Sequence, residues 1–334
     1  MTMRAWVMSG IDEGGVADVP DPEYGDYDAE IEMLVCGICS STDKMLRRGT
    51  FRMGVTYPSV LGHESVGRVV RVGDRVRGMA VGDLVTRPSA YRPAVAPIDQ
   101  YWGGFAERGI VTDWAAALAD GADLGTPRSD QVVLPGATDP ALASLAISLS
   151  ETYSVAVRHD LLGKTVAVIG TGIAGLSFLI YARLLGAATV LAVGRRTERL
   201  ALATDLGADV VALADEAEAT AAGLGGVDLV FEASGQAAMT AAAYRWVNAG
   251  GKVVVYSAPD TPAEIDLFSG PRDVDLTVAS THEAAVLPQM VRLVETGAID
   301  ASAFLTHRYA FDDMRRAFDE IAHGDVVKAV VDLR

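Results

Sequence analysis

A run of buried strands and helices between residues 164 and 257 constrains the fold of this chain of 334 residues more than any other feature. Four continuous apolar segments occur there, each next to an Ala- and Leu-rich helical stretch: TVAVIG, TVLAVG, VDLVFEA and GKVVVYS. Strands that are apolar along their whole length are covered on both faces, as in parallel sheets built from βαβ units. We therefore predict an α/β fold with a doubly wound parallel sheet in this part of the chain.

A glycine motif follows the first of these strands. Gly170, Gly172 and Gly175 form G-x-G-x-x-G where the strand gives way to a helix. In this context the first glycine makes a tight turn, the second admits a pyrophosphate and the third lets helix and strand pack closely. The helix N-terminus then offers N–H groups to the phosphate. We predict a dinucleotide site at these glycines and at the residues between them, Thr171, Ile173 and Ala174.

The end of the next strand favours NADP over NAD. A protein that binds NAD usually has Asp or Glu there to bind the ribose hydroxyls. Here Gly194 occupies that point, and Arg195 and Arg196 follow it. Because arginine can bind a phosphate through two parallel hydrogen bonds, we expect this pair to bind the 2′-phosphate of NADP.

The strand VDLVFEA ends in a second candidate cofactor segment. The residues at its end are Ala233, Ser234 and Gly235. Ligands of open α/β sheets bind at the carboxyl edge of the strands. We expect this turn to line the nicotinamide side of the site.

The first half of the chain has a different periodicity. Residues 28–35, DAEIEMLV, alternate polar and apolar as a half-buried strand does. Short Val-rich runs at 65–76 and 82–88 are broken by Gly-Asp turns. The pattern predicts a twisted antiparallel barrel or sandwich. Beyond the parallel sheet, 309–324 reads as an amphipathic helix and 326–333 as a closing strand.

The two cysteines of the chain, Cys36 and Cys39, lie in VCGICSSTDK. Their spacing alone allows a redox pair, half of a zinc knuckle, two buried thiols, or one metal ligand beside a bystander. A redox C-x-x-C is expected at a helix N-terminus near a βαβ unit, whereas this one follows an alternating strand. His63 and Glu64 lie downstream, and a thiolate, a histidine and carboxylates are ligands that catalytic zinc takes.

The charge balance excludes several classes of partner. The chain has 28 basic and 44 acidic residues, a net charge of −16, which repels nucleic acid and anionic lipid. The first residues lack the apolar core of a signal peptide, and no run approaches the length of a membrane helix. Two cysteines three residues apart do not form a secreted disulfide framework, so we expect a reduced, cytoplasmic location.

These motifs together resemble a known family. The series is GIC with a following Asp, then GHE-x-x-G-x-V-x-x-V-G, then GDLV and GGFAE, and finally AFDE with KAVV. It is similar, in order along nearly the whole chain, to the zinc-dependent alcohol and polyol dehydrogenases of the medium-chain dehydrogenase/reductase superfamily. The resemblance implies a GroES-like β-barrel catalytic domain at 1–153 and 285–334, and a Rossmann dinucleotide-binding domain at 154–284.

The resemblance also implies a ligand set for one catalytic zinc. The family's zinc-binding cysteine corresponds to Cys39, and its histidine ligand corresponds to His63. Cys36 corresponds to a neighbouring residue that often does not bind metal. Glu64 matches a glutamate that ligates zinc in some members and not in others. Glu151, in SLSETYSVAV, matches the remaining ligand of the polyol dehydrogenases, although Thr152 and Tyr153 replace the family's Pro-Leu.

The same resemblance indicates a proton path. A hydroxyl near the metal passes the substrate proton to solvent in this family, and either Ser41 or Thr42 could do so. Asp43 is a candidate for orienting His63, although it follows Cys39 by one residue more than usual. Lys44 stands where many relatives have histidine, so the relay must end differently.

The implied function is zinc-dependent hydride transfer between NADP(H) and a secondary alcohol or ketone. The family's structural zinc is bound by clustered cysteines that would fall within 87–104, where this chain has none, so we expect no structural zinc. We expect a polyol, sugar or aminocyclitol-type substrate, and a homodimer or homotetramer. Two alternatives stay open: a zinc-free NADPH quinone or enoyl reductase on the same fold, and a non-catalytic NADP(H)-binding protein.

Overall fold

The computed structural model describes residues 1–92, 96–259, 261–324 and 326–334. They form two compact units, of which the first joins Met1–Ile147 to Leu287–Arg334 and the second is Ser148–Val286. Two helices carry the chain between the units, α3 (Pro140–Ala156) and α8 (Glu283–Glu295). Among the described helices, none is long and apolar enough to cross a membrane.

A six-stranded parallel sheet forms the centre of the second unit. Its strands are β10 (Thr165–Ile169), β11 (Thr189–Gly194), β12 (Val210–Leu213), β13 (Val227–Glu232), β14 (Val247–Val255) and β15 (Asp275–Val278). Their order is β12-β11-β10-β13-β14-β15, and every neighbouring pair is parallel. The strand order reverses between β10 and β13, which is where doubly wound sheets open a crevice for a ligand.

Helices cover this sheet as the apolar strands require. They are α4 (Ile173–Leu184), α5 (Thr197–Asp205), α6 (Ala217–Gly223) and α7 (Ala237–Trp246). In one layer Phe178 of α4 stacks on Phe231 of β13, with ring centroids 4.3 Å apart. In contrast, all four residues of the edge strand β15 are exposed. The predicted α/β class and parallel sheet are confirmed.

Two sheets build the first unit. The smaller has the order β2-β1-β4-β7, from β1 (Thr2–Gly10), β2 (Glu13–Pro20), β4 (Ser59–Val60) and β7 (Asp99–Gln100). The larger has seven strands in the order β16-β17-β3-β5-β6-β9, with β8 on β3. Its strands are β3 (Asp28–Ile38), β5 (Glu64–Val72), β6 (Leu84–Thr86), β8 (Arg108–Thr112), β9 (Val133–Leu134), β16 (Leu305–Ala310) and β17 (Lys328–Asp332).

Short helices accompany these sheets. They are α1 (Thr42–Arg47), α2 (Trp114–Ala119) and α9 (Met314–His323). The unit's core packs Trp6 against Phe318 of α9, with ring centroids 5.6 Å apart, and Phe318 against Phe105. The helix predicted at 309–324 therefore begins later than expected, because Tyr309 and Ala310 complete β16.

The first unit is less regular than the antiparallel barrel or sandwich that the sequence suggested. Most neighbouring strands are antiparallel, but β16 pairs with β17, and β4 with β7, in the parallel sense. A parallel neighbour needs a crossover connection, and α9 supplies it between β16 and β17. The larger sheet is therefore mixed.

Candidate active site

The Cys39 loop links the end of β3 to the start of α1. The Cys39 backbone N–H donates to Asp43 Oδ2 at 2.8 Å. The Thr42 N–H points at the Cys39 sulfur, with a nitrogen–sulfur distance of 3.4 Å. Asp43 is fully buried. This tight turn fixes the sulfur of Cys39, whereas Cys36 points into the core of the same unit.

Strand pairing brings the other two candidate ligands to this loop. His63 and Glu64 stand at the start of β5, and Glu64 is opposite Gly37 in the antiparallel β3–β5 ladder. A Cβ at Gly37 would overlap the Glu64 carboxylate, so this position needs glycine. The ligand atoms of Cys39, His63 and Glu64 all lie within 4.8 Å of one another.

Asp43 connects His63 to the cysteine loop. Its Oδ1 lies 3.4 Å from His63 Nδ1, while its other oxygen accepts the Cys39 N–H. The histidine's Nε2 lies 3.9 Å from Glu64 Oε1 and thus faces the other ligands. Burial by itself would lower the pKa of His63, but the nearby charges of Asp43 and Cys39 raise it well above its usual value. A carboxylate at Nδ1 is the arrangement that holds a metal-binding histidine in one orientation.

Glu64 also forms a buried ion pair. Its Oε2 is bonded to the ammonium of Lys328 on β17, which donates a second hydrogen bond to the Ile38 carbonyl at 3.1 Å. Burial would lower the pKa of Lys328, but the charges of Glu64 and Cys39 raise it. One Glu64 oxygen is therefore paired with the Lys328 ammonium, and the other oxygen faces His63.

The donor chemistry of this cluster fits zinc. One thiolate, one imidazole and one carboxylate converge, and all three are common zinc ligands. Asp43 at His63 Nδ1 adds the supporting contact that zinc sites require. By contrast, burial together with the charges of Asp43 and Glu64 raises the pKa of Cys36 well above its usual value, so that thiol stays protonated.

The remaining residues predicted for this site fall in two places. Ser41 is exposed and precedes α1, and Thr42 is half-buried at its first turn. Glu151 belongs to α3 within the second unit, where the hydroxyl of Tyr256 donates to its Oε2 at 3.3 Å. That Ser41 or Thr42 relays a proton, and that Glu151 ligates zinc, both stay predictions.

The glycine motif forms the loop between β10 and α4. Gly170 has a φ of 109°, a left-handed conformation that favours glycine. A Cβ at Gly175 would overlap the Gly170 carbonyl, so the third glycine allows the helix to approach the strand. Gly172 precedes the first helical residue, Ile173, and Ala174 follows in the first turn.

The arginines predicted to select NADP follow β11. Arg195 and Arg196 are both exposed, and Arg196 directly precedes α5. Thr171 of the glycine loop packs close to Gly194, where a Cβ would meet the Thr171 side chain at 2.9 Å. The loop after β10 and the arginine-bearing end of β11 are therefore neighbours at the same edge of the sheet.

The turn after β13 meets the glycine loop from the other side. The Ala233 N–H donates to the Ile169 carbonyl at 2.8 Å. A Cβ on Gly170 would lie 2.7 Å from the Ala233 carbonyl. The dinucleotide residues predicted in this unit are thus grouped at one edge of its sheet.

Comparisons with known proteins identify the family of this chain. Residues 174–296 match the family model for zinc-binding dehydrogenases, and 25–120 match that for the alcohol dehydrogenase GroES-like domain. A probable zinc-binding alcohol dehydrogenase of Mycobacterium tuberculosis is 31% identical over 337 residues, which cover 95% of this chain and 84% of that protein. The chain belongs to the zinc-type medium-chain dehydrogenase/reductase superfamily.

Other members share its length and fold. An L-threonine 3-dehydrogenase of Bacillus velezensis is 26% identical over 329 residues, which cover 94% of each chain. A solved structure from Sinorhizobium meliloti, described as a zinc-binding dehydrogenase bound to NADP, aligns over 99% of both chains with 27% identity and a TM-score of 0.80. The resemblance and the two fold types, GroES-like and Rossmann, are therefore confirmed, whereas the domain bounds stay a prediction. The protein is an oxidoreductase of this superfamily.

Two residues beside the candidate metal site of this dehydrogenase could not be identified as site residues from the sequence. Lys328 was recognised only as part of a family pattern, yet it pairs with Glu64. Trp102 has a φ of 64°, which is unusual for a residue with a side chain, and its ring centroid lies 5.1 Å from that of His63. The position of Trp102 directly before GGFAE was the available signal, but its periodicity-free loop gave no reason to place it beside a ligand.

Proposed function

We propose that this protein is a zinc-dependent, NADP-preferring alcohol dehydrogenase that transfers hydride between NADP(H) and a secondary alcohol or ketone. The grouping of Cys39, His63 and Glu64 within 4.8 Å carries the proposal. When bound, a zinc ion lowers the pKa of a hydroxyl that it contacts and polarises a carbonyl. We propose one zinc per chain, and no structural zinc.

Each residue around the cluster has a distinct part in this proposal. Asp43 orients His63 and holds the Cys39 loop. Lys328 supplies the buried counter-charge that pairs with Glu64, and Trp102 forms an apolar wall beside His63. The Thr42 or Ser41 hydroxyl takes the proton of the alcohol and passes it to solvent.

NADP is the proposed cofactor because Arg195 and Arg196 stand where a carboxylate would select NAD. The NADP bound in the Sinorhizobium meliloti relative supports this preference. The substrate class is a polyol, sugar or aminocyclitol-type alcohol. L-threonine, the substrate named for the Bacillus velezensis relative, is likewise a secondary alcohol.

We also propose that the protein works as a homo-oligomer in the cytoplasm, where the Cys39 thiol stays reduced. The edge strand β15 supports self-association, since Val278 and Leu276 are 83% and 42% exposed. A two-fold axis can pair such an edge with the same edge of a second copy, which covers both open backbones at once.

The test of the enzymatic proposal is zinc content per chain, measured by plasma mass spectrometry on wild type, Cys39→Ala and the matched control Cys36→Ala. We expect about one zinc in wild type and in the control, and almost none in Cys39→Ala, because a catalytic site needs each of its few protein ligands. No zinc in carefully prepared wild type would overturn the proposal and favour a zinc-free reductase. Zinc retained by Cys39→Ala would show that the ligand assignment is wrong.

A further inference from the structure

A buried carboxylate that has no part in the chemistry described above lies at the end of β13. Glu232 is fully buried. Its Oε1 accepts the backbone N–H of Ser234 at 2.8 Å and also the Ser234 hydroxyl. Its Oε2 is buried and makes no hydrogen bond with any described residue. The side chain therefore folds back on the turn that immediately follows it.

The same residue also holds the turn after the neighbouring strand β14. The Glu232 carbonyl accepts the N–H of Tyr256 at 2.8 Å and that of Ser257 at 3.3 Å. The Ala258 carbonyl lies 3.4 Å from where a Cβ on Gly235 would be. Through its side chain and its backbone, Glu232 thus fixes two turns at the carboxyl edge of the sheet.

The turn after β13 also packs against the glycine loop. Ala233 donates to the Ile169 carbonyl, and its own carbonyl closely approaches Gly170. Gly235 has a φ of 68°, so the turn depends on a conformation that few residues favour. A carboxylate that accepts a backbone N–H and a hydroxyl inside this turn selects one conformation of it.

We propose that Glu232 is a positioning residue for the nicotinamide half of the bound dinucleotide. It acts through the 233–235 turn, does not touch the phosphates, and has no part in the adenosine half, which belongs to the end of β11. Burying a carboxylate is costly, and a residue needed only to fill space there would be apolar. This inference rests on the proposed dinucleotide binding and goes beyond it by assigning a role to a residue outside the glycine motif.

The experiment compares two ligands by calorimetric titration: NADPH, and 2′,5′-ADP, which lacks the nicotinamide half. The variants are Glu232→Ala and Glu232→Gln. Asp228→Asn is the matched control, because Asp228 accepts the Thr165 N–H at 2.9 Å at the other end of the same strand. If wild type binds NADH more tightly than NADPH, NADH and ADP replace the two ligands.

We expect Glu232→Ala to bind NADPH about tenfold more weakly and 2′,5′-ADP within about twofold of wild type, since the hydrogen bonds that fix the 233–235 turn are lost beside the nicotinamide half only. Glu232→Gln keeps an acceptor for Ser234 and should recover most of the NADPH affinity. Asp228→Asn should bind both ligands as wild type does. If Glu232→Ala does not fold, Ser234→Ala takes its place, because it removes the hydroxyl that donates to Glu232. We expect this variant to bind NADPH about threefold more weakly and to bind 2′,5′-ADP as wild type does.

Two outcomes would overturn the assignment while the proposed function stands. Equal losses for NADPH and 2′,5′-ADP would show that Glu232 supports the whole unit and not one half of the site. Unchanged NADPH affinity in Glu232→Ala, or in Ser234→Ala if that is the variant that folds, would show that the turn needs no such support. Wild type that binds no nicotinamide nucleotide would overturn the proposed function and this inference together.

Discussion

Lys328 and Glu64 form a buried pair in which neither charge can be removed alone without cost. Both side chains are only 2% exposed. In Lys328→Met, Glu64 stays buried without its cation, so we expect the free energy of unfolding to fall by about 3–5 kcal/mol. The double variant Lys328→Met with Glu64→Gln leaves no unpaired charge and should recover more than half of that loss. Urea denaturation of the metal-free proteins measures both.

A double-mutant cycle of these two positions needs one more variant, Glu64→Gln alone, which keeps the acceptor for Lys328 but removes the charge. If the two single losses simply add in the double variant, the charges are not coupled, and the ion pair does not determine the stability of this cluster.

The preference for NADPH over NADH is predicted to depend on Arg195 and Arg196. Replacing both with alanine removes the guanidinium groups expected to bind the 2′-phosphate, so the ratio of NADPH to NADH affinity should fall by about tenfold or more. NADH affinity itself should change little. Fluorescence titration with each nucleotide measures the ratio. Arg183→Ala is a suitable control, because Arg183 is an arginine of the same unit that is paired with Asp209. An unchanged ratio in the double variant would exclude the arginines as the source of preference.

Single residues of the candidate sites are predictable from the sequence where the spacing of a short motif specifies them. The three glycines and the neighbours Cys39, His63 and Glu64 could be named because short motifs specify them. Lys328 could not be assigned a role, since its partner is 264 positions away and the two meet only because β17 pairs with β3 and β3 pairs with β5. Trp102 was missed for a related reason, because a left-handed backbone at a tryptophan leaves no mark in the sequence.

At the scale of elements, Asp113 at the start of α2 supplies a test that depends on pH. Its carboxylate accepts the N–H groups of Ala116, Arg77 and Gly78. Burial would raise its pKa, but these bonds and the charge of Arg77 lower it below its usual value. The unfolded state then binds the proton more readily, so the carboxylate stabilises the fold above the unfolded pKa of about 3.9, and this is lost as pH falls through the folded value.

We therefore expect Asp113→Asn to lose about 1–2 kcal/mol at pH 7 and progressively less relative to wild type in acid, as a charged cap of three backbone donors is replaced by a neutral one. Urea midpoints from pH 7 down to pH 3 give the difference. Asp26→Asn, at an exposed site of the same unit, should match wild type throughout. If the free energies of unfolding of wild type and Asp113→Asn differed by the same amount at every pH, the charge of Asp113 would have no part in the stabilisation.

The elements that sequence periodicity predicted best were those buried on both faces. The parallel strands β10, β11 and β13 are short, continuous and apolar, so their pattern indicated strands covered on both faces. In the first unit, β4 and β9 contain two residues each, which is too short for any period to appear. The parallel pairing of β16 with β17 could not be predicted from the sequence either, because the α9 crossover sets the direction of these strands and the alternation within each strand does not.

At the scale of the whole molecule, the exposed strand β15 predicts the oligomeric state. We expect wild type to be at least a dimer at micromolar concentration, and Val278→Lys to be a monomer, because a charged edge resists pairing with another edge. Light scattering coupled to size-exclusion chromatography measures the mass. Val211→Lys on β12, the opposite edge of the same sheet, should assemble as wild type does. A monomeric wild type, or a dimeric Val278→Lys, would rule out this edge as the contact.

The division of the first unit into two chain segments sets an order on its synthesis. The whole of Ser148–Val286 is made before the segment that supplies β17 and Lys328. Domains fold as units as they leave the ribosome, so the second unit can fold while the first segment still lacks β16 and β17 of its larger sheet. Until β17 is made, Glu64 has no cation and β3 has an open edge. The proposed zinc ligands Cys39, His63 and Glu64 are thus translated early, but the lysine that pairs with Glu64 is among the last residues to be made. The proposed zinc site therefore reaches its finished geometry only after the second unit has been made.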